Sequence, residues 1–456
     1  MNYTKENNNN QLENKNFLKI PSTLQEFVNT NTNIEYDSSG NKTYCFYGYV
    51  PLSSNDIICP ICGHMMHINN TYKVNIKHLP FGDTYTQICV ERKQLICTHC
   101  GSTKMQELPF KEDNHFITKP LKIYVKDLLA SNHFTNKEIS LVTGVNRNIV
   151  KEIDKERLIE KYTIDGLGKK LIKPEHQAKY LGIDEFKLHN GYKYATHIID
   201  YDTGHILWIA EGKKKQVVYD FINHVGLEWM SNVKAIACDM NSDFEEAFKE
   251  KCQHLKIVYD YFHIVKYLNE KVISEIRKDE QNKLIELGDE EAARKLKRTK
   301  FILFSSEETL KKKDQEVKDG KVISKGNDLF NKSEVVRKGN YYDRYLKLVN
   351  GNELFLIVEL IKDTLYEAYH TDNEEEMIRL IFDIIELCEA YENKYLKKFG
   401  NLLYNHFNGI ISHATYKISS GKIEGINNKI KTLRRQAYGY PDDEYFFLKL
   451  LDMSRS

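Results

Sequence analysis

The sequence predicts a multidomain α/β protein, and three observations carry that reading. Its 456 residues exceed one ordinary core. Residues 180–266 run as three antiparallel strands, helix, strand, helix, strand. Ahead of them stand two Cys-x-x-Cys-Gly knuckles and a set of short, capped helices. With 41% apolar and 29% charged residues the composition is that of a soluble globular chain. No stretch reaches the roughly 18 continuous apolar residues of a membrane helix. The formal net charge of +1 gives no bulk signal for nucleic acid, so such a partner must be argued from local patches.

The opening MNYTKENNNNQLENKNF is polar and lacks the apolar core of a signal peptide. Residues 1–40 therefore read as a disordered or poorly ordered tail, and the protein is expected in the cytoplasm. There nine cysteines do not suggest a disulfide framework.

Residues 41–118 read as a zinc ribbon. Cys59-Pro60-Ile61-Cys62-Gly63 is repeated by Cys97-Thr98-His99-Cys100-Gly101. Two turns that each offer two thiolates build a closed, tetrahedral, structural zinc site, and the glycine lets each turn fold back on the metal. Tyr72 to Ile76 and Gln87 to Ile96 supply the strands, and Cys89 reads as core. His64 and His67 lie close enough to the first knuckle to replace a thiolate, and four unrelated reduced cysteines are the plain alternative.

Residues 119–173 read as helices. Leu121, Val125, Leu128 and Leu129 form one apolar stripe. Thr135-x-x-Glu138 is a capping box, Gly144 makes a tight turn, and Asn146 caps the next helix. The pattern matches a helix-turn-helix with a core of Ile139, Val142, Val145, Ile149 and Val150. Arg147, Asn148 and Lys151 then face outward at the start of the recognition helix, where base edges are read. From Lys119 to Lys173 cations outnumber acids 12 to 7, which supports phosphate contact. An ordinary helical hairpin with a solvated face is the alternative.

Residues 174–266 begin the α/β core. Tyr180 to Phe186, Tyr192 to Asp200 and Ile206 to Ala210 are strands, separated by the turns Asn190-Gly191 and Asp202-Thr203-Gly204. Asp184 sits in mid-strand, where a carboxylate is either solvated at an edge or paired or metal-bound. Lys213 to Gly226 follows as a helix. VKAIACDMN, residues 233–241, is a buried parallel strand with Asp239 at its end. Ser242 caps another helix, and LKIVYDYFHIVKYL runs strand into helix with Asp260 and His263 at the junction. This is the order of a ribonuclease-H-like core, in which Asp184 and Asp239 lie side by side.

Residues 267–415 read as a large α-helical insertion, with periodic helices at Leu354 to Tyr366 and Met377 to Tyr395 and an exposed, basic, partly irregular stretch from Gly320 to Gly339. Residues 416–456 return to the core. In Ser419 to Tyr440, Ile423, Ile426, Ile430 and Leu433 form an inward stripe, while Glu424, Asn428, Lys431 and Arg435 fall on nearly the opposite face.

The blocks CPICG, CTHCG, TNKEISLVTGVNRNIV, YLGIDEF, KYATHIIDYDTGHILWIAEG, IACDMN, YDYFHIVKYLNE and SGKIEGINNKIKTLRRQAYGY carry a resemblance. From about Cys59 to Tyr440 the chain resembles the DDE transposases of bacterial insertion sequences, specifically the ISL-three family. Gly421-Lys422 departs from the more varied lead expected before the glutamate.

The resemblance implies a catalytic triad of Asp184, Asp239 and Glu424 that holds magnesium or manganese, with Asp260, His263 and Asn428 positioned around it. It implies double-stranded DNA partners, transposon ends and target, with Lys431 and Arg435 directed at DNA. It also implies a homo-oligomer in the DNA complex and a place at the bacterial nucleoid. Two other readings stand beside it: a ribonuclease-H-like nuclease that cuts without joining, and a catalytically inactive zinc-ribbon and helix-turn-helix regulator.

Overall fold

The computed structural model describes residues 24, 26–38, 40–168, 170–189, 191, 193–240, 242–297, 299–320, 323–325, 333–335, 339–419, 421–436 and 440–455. Two compact units result: the chain up to Ile172 together with Thr432–Ser456, and Lys173–Lys431. Among the described residues no helix is long and apolar enough to cross a membrane.

The first unit contains strands β1 (Val28–Tyr36), β2 (Lys42–Tyr49), β3 (Met66–Phe81), β4 (Thr84–Cys97) and β5 (Thr103–Met105), in the order β1-β2-β4-β3 with β5 on β4. Strands β3 and β4 form the hairpin expected between the knuckles, and it is longer than its apolar runs suggest. One expectation is corrected here. The segment 1–40, read as a poorly ordered tail, contains β1, paired antiparallel with β2 from Val28↔Tyr49 to Tyr36↔Lys42. Its sequence, VNTNTNIEY, is exposed along nearly its whole length. An edge strand held by backbone hydrogen bonds leaves no apolar alternation to read.

Three helices follow: α1 (Lys119–Ala130), α2 (Asn136–Thr143) and α3 (Arg147–Tyr162). The Thr135/Glu138 capping box is formed in both directions, and Asn146 accepts from the Asn148 N–H. Leu121, Val125, Leu129, Ile139, Val145, Val150 and Ile153 share one core. Val142, expected in that core, is 48% exposed. Thr143, the next residue, is buried beside Ile139 instead.

The segment 416–456, read as wholly part of the catalytic core, divides. Its last helix, Asp443–Met453, packs within the first unit against α3. Lys449 Nζ meets Asp154 Oδ2 at 2.9 Å, and Arg157 Nη2 lies 2.8 Å from both Asp154 Oδ1 and Asp452 Oδ2. Tyr445 donates its hydroxyl to Asp154 at 2.7 Å. Buried charges need partners of opposite sign and matched geometry. Asp154 and Arg157 pair with each other on α3, and each takes a second partner, Lys449 and Asp452, from this helix. Against the cost of burial, Arg157, Lys161 and Tyr162 hold the Asp452 carboxyl well below the usual carboxylate range.

The second unit is built on a five-stranded sheet of β6 (Tyr180–Lys187), β7 (Tyr194–Asp200), β8 (Ile206–Glu211), β9 (Ala235–Cys238) and β10 (Lys256–Tyr259), in the order β10-β9-β6-β7-β8. Strands β6, β7 and β8 are antiparallel neighbours, and β6, β9 and β10 run parallel. Asn190, half of the expected first turn, lies outside the described residues. Helices α4 (Lys215–Val225), α5 (Ser242–Lys251) and α6 (Tyr261–Tyr267) follow their strands in the expected order.

The described residues beyond α6 are mostly helical. They include α7 (Glu353–His370), α8 (Glu374–Ala390), α9 (Lys394–Asn405) and α10 (Phe407–Tyr416). The run read as one helix to Tyr395 stops at Ala390, and Asn393 caps α9. The irregular basic stretch contains a short antiparallel pair, Ile323–Lys325 with Ser333–Val335. Phe355, Ile361, Ile381, Leu396 and Phe399 belong to the same apolar core as Leu181, Ile183, Ile236 and Val218. The insertion therefore completes the core of this unit. Helix α11 (Gly421–Gln436) closes the other face of the sheet.

Candidate functional site

Gly182 pairs with Ala237 where β6 and β9 run side by side. Continuing that register by two residues brings Asp184 abreast of Asp239, just past the end of β9 at Cys238. Asp184 Oδ1 accepts from the Glu185 N–H at 2.8 Å, and Asp239 Oδ1 accepts from the Met240 N–H at 2.7 Å. His263, on α6, places Nδ1 3.1 Å from Asp239 Oδ1.

Helix α11 lies along β6 because Gly182 has no side chain. A Cβ there would sit 2.8 Å from Ile423 Cδ1 and 3.0 Å from Ile199 Cγ1. Four residues further along the helix, Asn427 donates Nδ2 to Asp184 Oδ2 at 2.6 Å. Four helical residues advance about 6 Å, as do two strand residues, so the contacts 423–182 and 427–184 are one step apart on both elements. The helix start is pinned as well. Lys422 Nζ reaches the carbonyl oxygens of Tyr201 and Asp202 at 2.8 and 3.0 Å, and the Ser419 N–H donates to the Tyr201 hydroxyl at 3.0 Å.

Glu424 is exposed on this helix, one turn before Asn427. The three acids do not close on a common point. Among the described residues, the groups of three or more His, Cys, Asp or Glu donors within 4.8 Å of one another lie at the knuckles. Burial raises the Asp184 carboxyl above the ordinary aspartate value. The Glu185 N–H, the Asn427 amide and His263 pull it back, and Asp239 adds to the rise. Asp184, Asp239 and His263 are thus within electrostatic reach of one another.

The remaining expected residues distribute as follows. Asp260 is buried at the cap position of α6. Its charge adds to the effect of burial in raising the Tyr369 hydroxyl. Asn428, Lys431 and Arg435 are exposed on α11. Two residues beside Asp184 went unread in the sequence. Asn427 is one, since only the seating of Ile423 at Gly182 decides that residue 427 leans on the strand. His197 is the other: it pairs with Asp184 across β6 and β7, is fully buried, and has no hydrogen-bond partner among the described residues. Burial drives its pKa down to about 4, so it is neutral.

At the knuckles, Sγ–Sγ distances are 3.6 Å for Cys59–Cys100 and 3.5 Å for both Cys62–Cys97 and Cys62–Cys100. Four thiolates about 2.3 Å from a tetrahedral zinc lie about 3.8 Å apart, so the set fits that ion. The two turns are backbone twins. The Gly63 N–H donates to the Cys59 carbonyl at 3.0 Å and the Gly101 N–H to the Cys97 carbonyl at 2.9 Å, with glycine φ of 72° and 74°. His64 and His67 do not replace a thiolate in this set.

At the start of α3, Arg147 and Asn148 are exposed. Lys151 is engaged, with Nζ 3.4 Å from Asp442 Oδ2 and 5.4 Å from the Tyr445 ring centre.

A family model described as "Transposase", for the ISL-three type of DDE transposase, matches residues 181–450. The chain is 25% identical over 403 residues to the transposase for insertion sequence element IS1001 of Bordetella parapertussis, covering 88% of this chain and 90% of that protein. It is 26% identical over 98 residues to the transposase for insertion sequence element IS1557 of Mycobacterium tuberculosis, 22% of each chain.

Proposed function

The chain belongs to the ISL-three family of transposases, and from that premise we propose that it binds the ends of a DNA element, cleaves there, and joins the freed 3′-ends to target DNA. The observation that carries the chemistry is the Gly182↔Ala237 register, which projects Asp184 and Asp239 to one sheet end, with Asn427 of the Glu424 helix bonded to Asp184. The strand order β10-β9-β6-β7-β8 supports a ribonuclease-H-like reading of this core.

Asp184, Asp239 and Glu424 would hold magnesium or manganese. The donor set fits, because hard divalent cations take carboxylate oxygens and Asp184 is buried enough to gain from a nearby cation. Such ions, when bound, activate the attacking water or 3′-hydroxyl and stabilise the leaving oxygen. The protein's own groups do the positioning. Asn427 fixes the Asp184 carboxylate and His263 fixes that of Asp239. Lys431 and Arg435, exposed on the helix that carries Glu424, face phosphates. Arg147 and Asn148 at the start of α3 read base edges of the element end. The Cys59, Cys62, Cys97 and Cys100 set holds zinc and fixes the ribbon. Cleavage and joining at paired ends call for a homo-oligomer on DNA.

The test is incubation of the purified chain with labelled end duplex, target DNA and magnesium or manganese. New 3′-hydroxyl ends together with joined product are expected. Ends without joining would establish the nuclease reading, and binding with neither product would establish the inactive regulator.

A further inference from the structure

We propose that a cleft beside His263 takes up one unstacked nucleobase of the DNA brought to the carboxylates. This inference rests on the DNA-processing reading above and adds a binding site to it.

The cleft measures about 270 Å³ and is lined by Phe262, Val265, Lys266, Asn269, Glu270 and Phe304. In α6 and its continuation, residues 262, 265, 266, 269 and 270 recur at helical spacing and so share one face. His263, the residue after Phe262, meets Asp239 instead. The Phe262 and His263 rings stand edge to face with centroids 5.6 Å apart. The cleft is therefore one ring removed from the side chain that touches Asp239.

The helix changes its winding at this point. Leu268–Ile273 continues α6 as a π-helix, a wide turn that is rare and recurs at functional sites. Asn269 and Glu270 stand on that turn. The short helix Lys300–Phe304 supplies Phe304.

The lining selects the occupant. Phe262 is 52% exposed, and Phe304 is half-buried with Lys300 Nζ 5.3 Å from its ring centre. Any base can stack on such a ring, because every base has a π-face. Asn269 Oδ1 is buried without a hydrogen-bond partner among the described residues. Turning that amide toward a base edge thus gives up no bond of its oxygen. Glu270 is exposed and can accept from an exocyclic amino group. Lys266, also exposed, and Lys300 supply cations for the flanking phosphates. An apolar side chain of a protein partner would set Lys266, Asn269 and Glu270 against carbon, whereas a nucleotide uses the rings and the polar groups together. Taking a base out of the duplex costs free energy, and stacking on Phe262 offsets it.

The experiment uses the full-length chain, magnesium and labelled end duplexes, either intact or with an abasic nucleotide placed in turn at each position flanking the cleavage point. Phe262→Ala should keep the thermal midpoint and cleave the intact duplex roughly tenfold more slowly in single turnover. At one abasic position the difference between variant and wild type should vanish, because the base that Phe262 receives is already missing. Equal slowing on the intact and on every abasic duplex overturns the proposal, as does a wild-type rate on the intact duplex. Equal slowing with an altered oligomeric state assigns the cleft to a second copy of the chain and overturns it too. Should Phe262→Ala fold poorly, Phe262→Trp and Phe262→Leu decide: the ring should preserve the rate and the aliphatic side chain should lose it, and equal rates reject the site. A wild type that cleaves no end duplex removes the DNA-processing reading and this site with it, whereas slowing without dependence on the base removes the site alone.

Discussion

Asn427 donates its side-chain amide to Asp184 Oδ2 at 2.6 Å, which ties the helix carrying Glu424 to the strand carrying Asp184. A hydrogen bond to a charged group contributes about 1.5–3 kcal/mol, so Asn427→Ala should slow DNA cleavage roughly tenfold to a hundredfold. End binding should stay unchanged. Single-turnover cleavage at saturating metal measures it, and wild-type rates in the variant would remove Asn427 from the site.

Gly182 is the other half of that seating. Gly182→Ala places a methyl group 2.8 Å from Ile423 Cδ1, and overpacking of this kind costs about 1–3 kcal/mol. The variant should melt earlier and cleave more slowly because α11 is displaced. Ile423→Ala deletes both Cδ1 and the equally close Cγ1, so the pair of substitutions should recover part of both losses. A double variant no better than Gly182→Ala would show that the crowding lies elsewhere, with Ile199 next in line.

How far the sequence could be read follows from where its physics is local. Strands β6 to β8 carry aromatic and β-branched residues between turn-forming pairs, and β9 is a short apolar run ending in an acid, so their order and Asp239 were legible. The α11 stripe of Ile423, Ile426 and Ile430 is buried as its spacing demands. Asn427 was not legible. Residues 427 and 428 both neighbour Glu424 on a helical wheel, and the contact at Gly182 separates them. β1 escaped because its pairing is carried by backbone, and the last helix was misassigned because the partners of Lys449 and Asp452, among them Asp154, Arg157 and Lys161, lie some three hundred positions away.

Asp442 bears on DNA recognition. It caps the last helix through the Tyr445 N–H at 3.1 Å and lies 3.4 Å from Lys151 and 3.1 Å from Lys155. Burial opposes its ionisation, but the Tyr445 N–H and the two lysines bring its carboxyl below the ordinary value. Asp442→Asn keeps the cap and removes the charge. Freed cations should steepen the dependence of binding on salt by about one unit for each new phosphate contact. Arg147→Ala should instead weaken end DNA selectively. Gel shifts with end and scrambled duplex at several salt concentrations separate the two. An unchanged slope for Asp442→Asn would turn this face of α3 away from DNA.

His78 makes the first unit acid-sensitive. It is buried, with Nδ1 2.8 Å from the Thr118 hydroxyl, and burial lowers its pKa from 6.5 to about 4. Unfolded chain takes up the proton below about pH 6.5 while the folded protein resists it, so stability is full above that value and falls toward pH 4. The loss is on the order of 3 kcal/mol. His197 adds a second dependence of the same sign in the other unit. Urea unfolding from pH 7 to 4 should show His78→Leu losing less stability than wild type, and equal slopes would exclude His78 as the titrating group.

The three carboxylates give the strictest test of the proposed chemistry. Asp184→Asn, Asp239→Asn and Glu424→Gln should each abolish cleavage and joining while leaving end binding intact. An amide keeps the shape and removes the charge that holds two cations close together against their repulsion. Binding should survive because Arg147 and Asn148 belong to the first unit, whereas all three acids lie in the second. Glu185 is the internal control. Successive strand residues point to opposite faces, and Asp184 turns toward α11, where Asn427 meets it. Glu185→Gln should therefore retain cleavage. Activity kept by Asp184→Asn and lost by Glu185→Gln would mean that the opposite face of β6 carries the chemistry. Activity kept by Glu424→Gln alone would leave the aspartate pair at the sheet end and send the search for the third acid elsewhere.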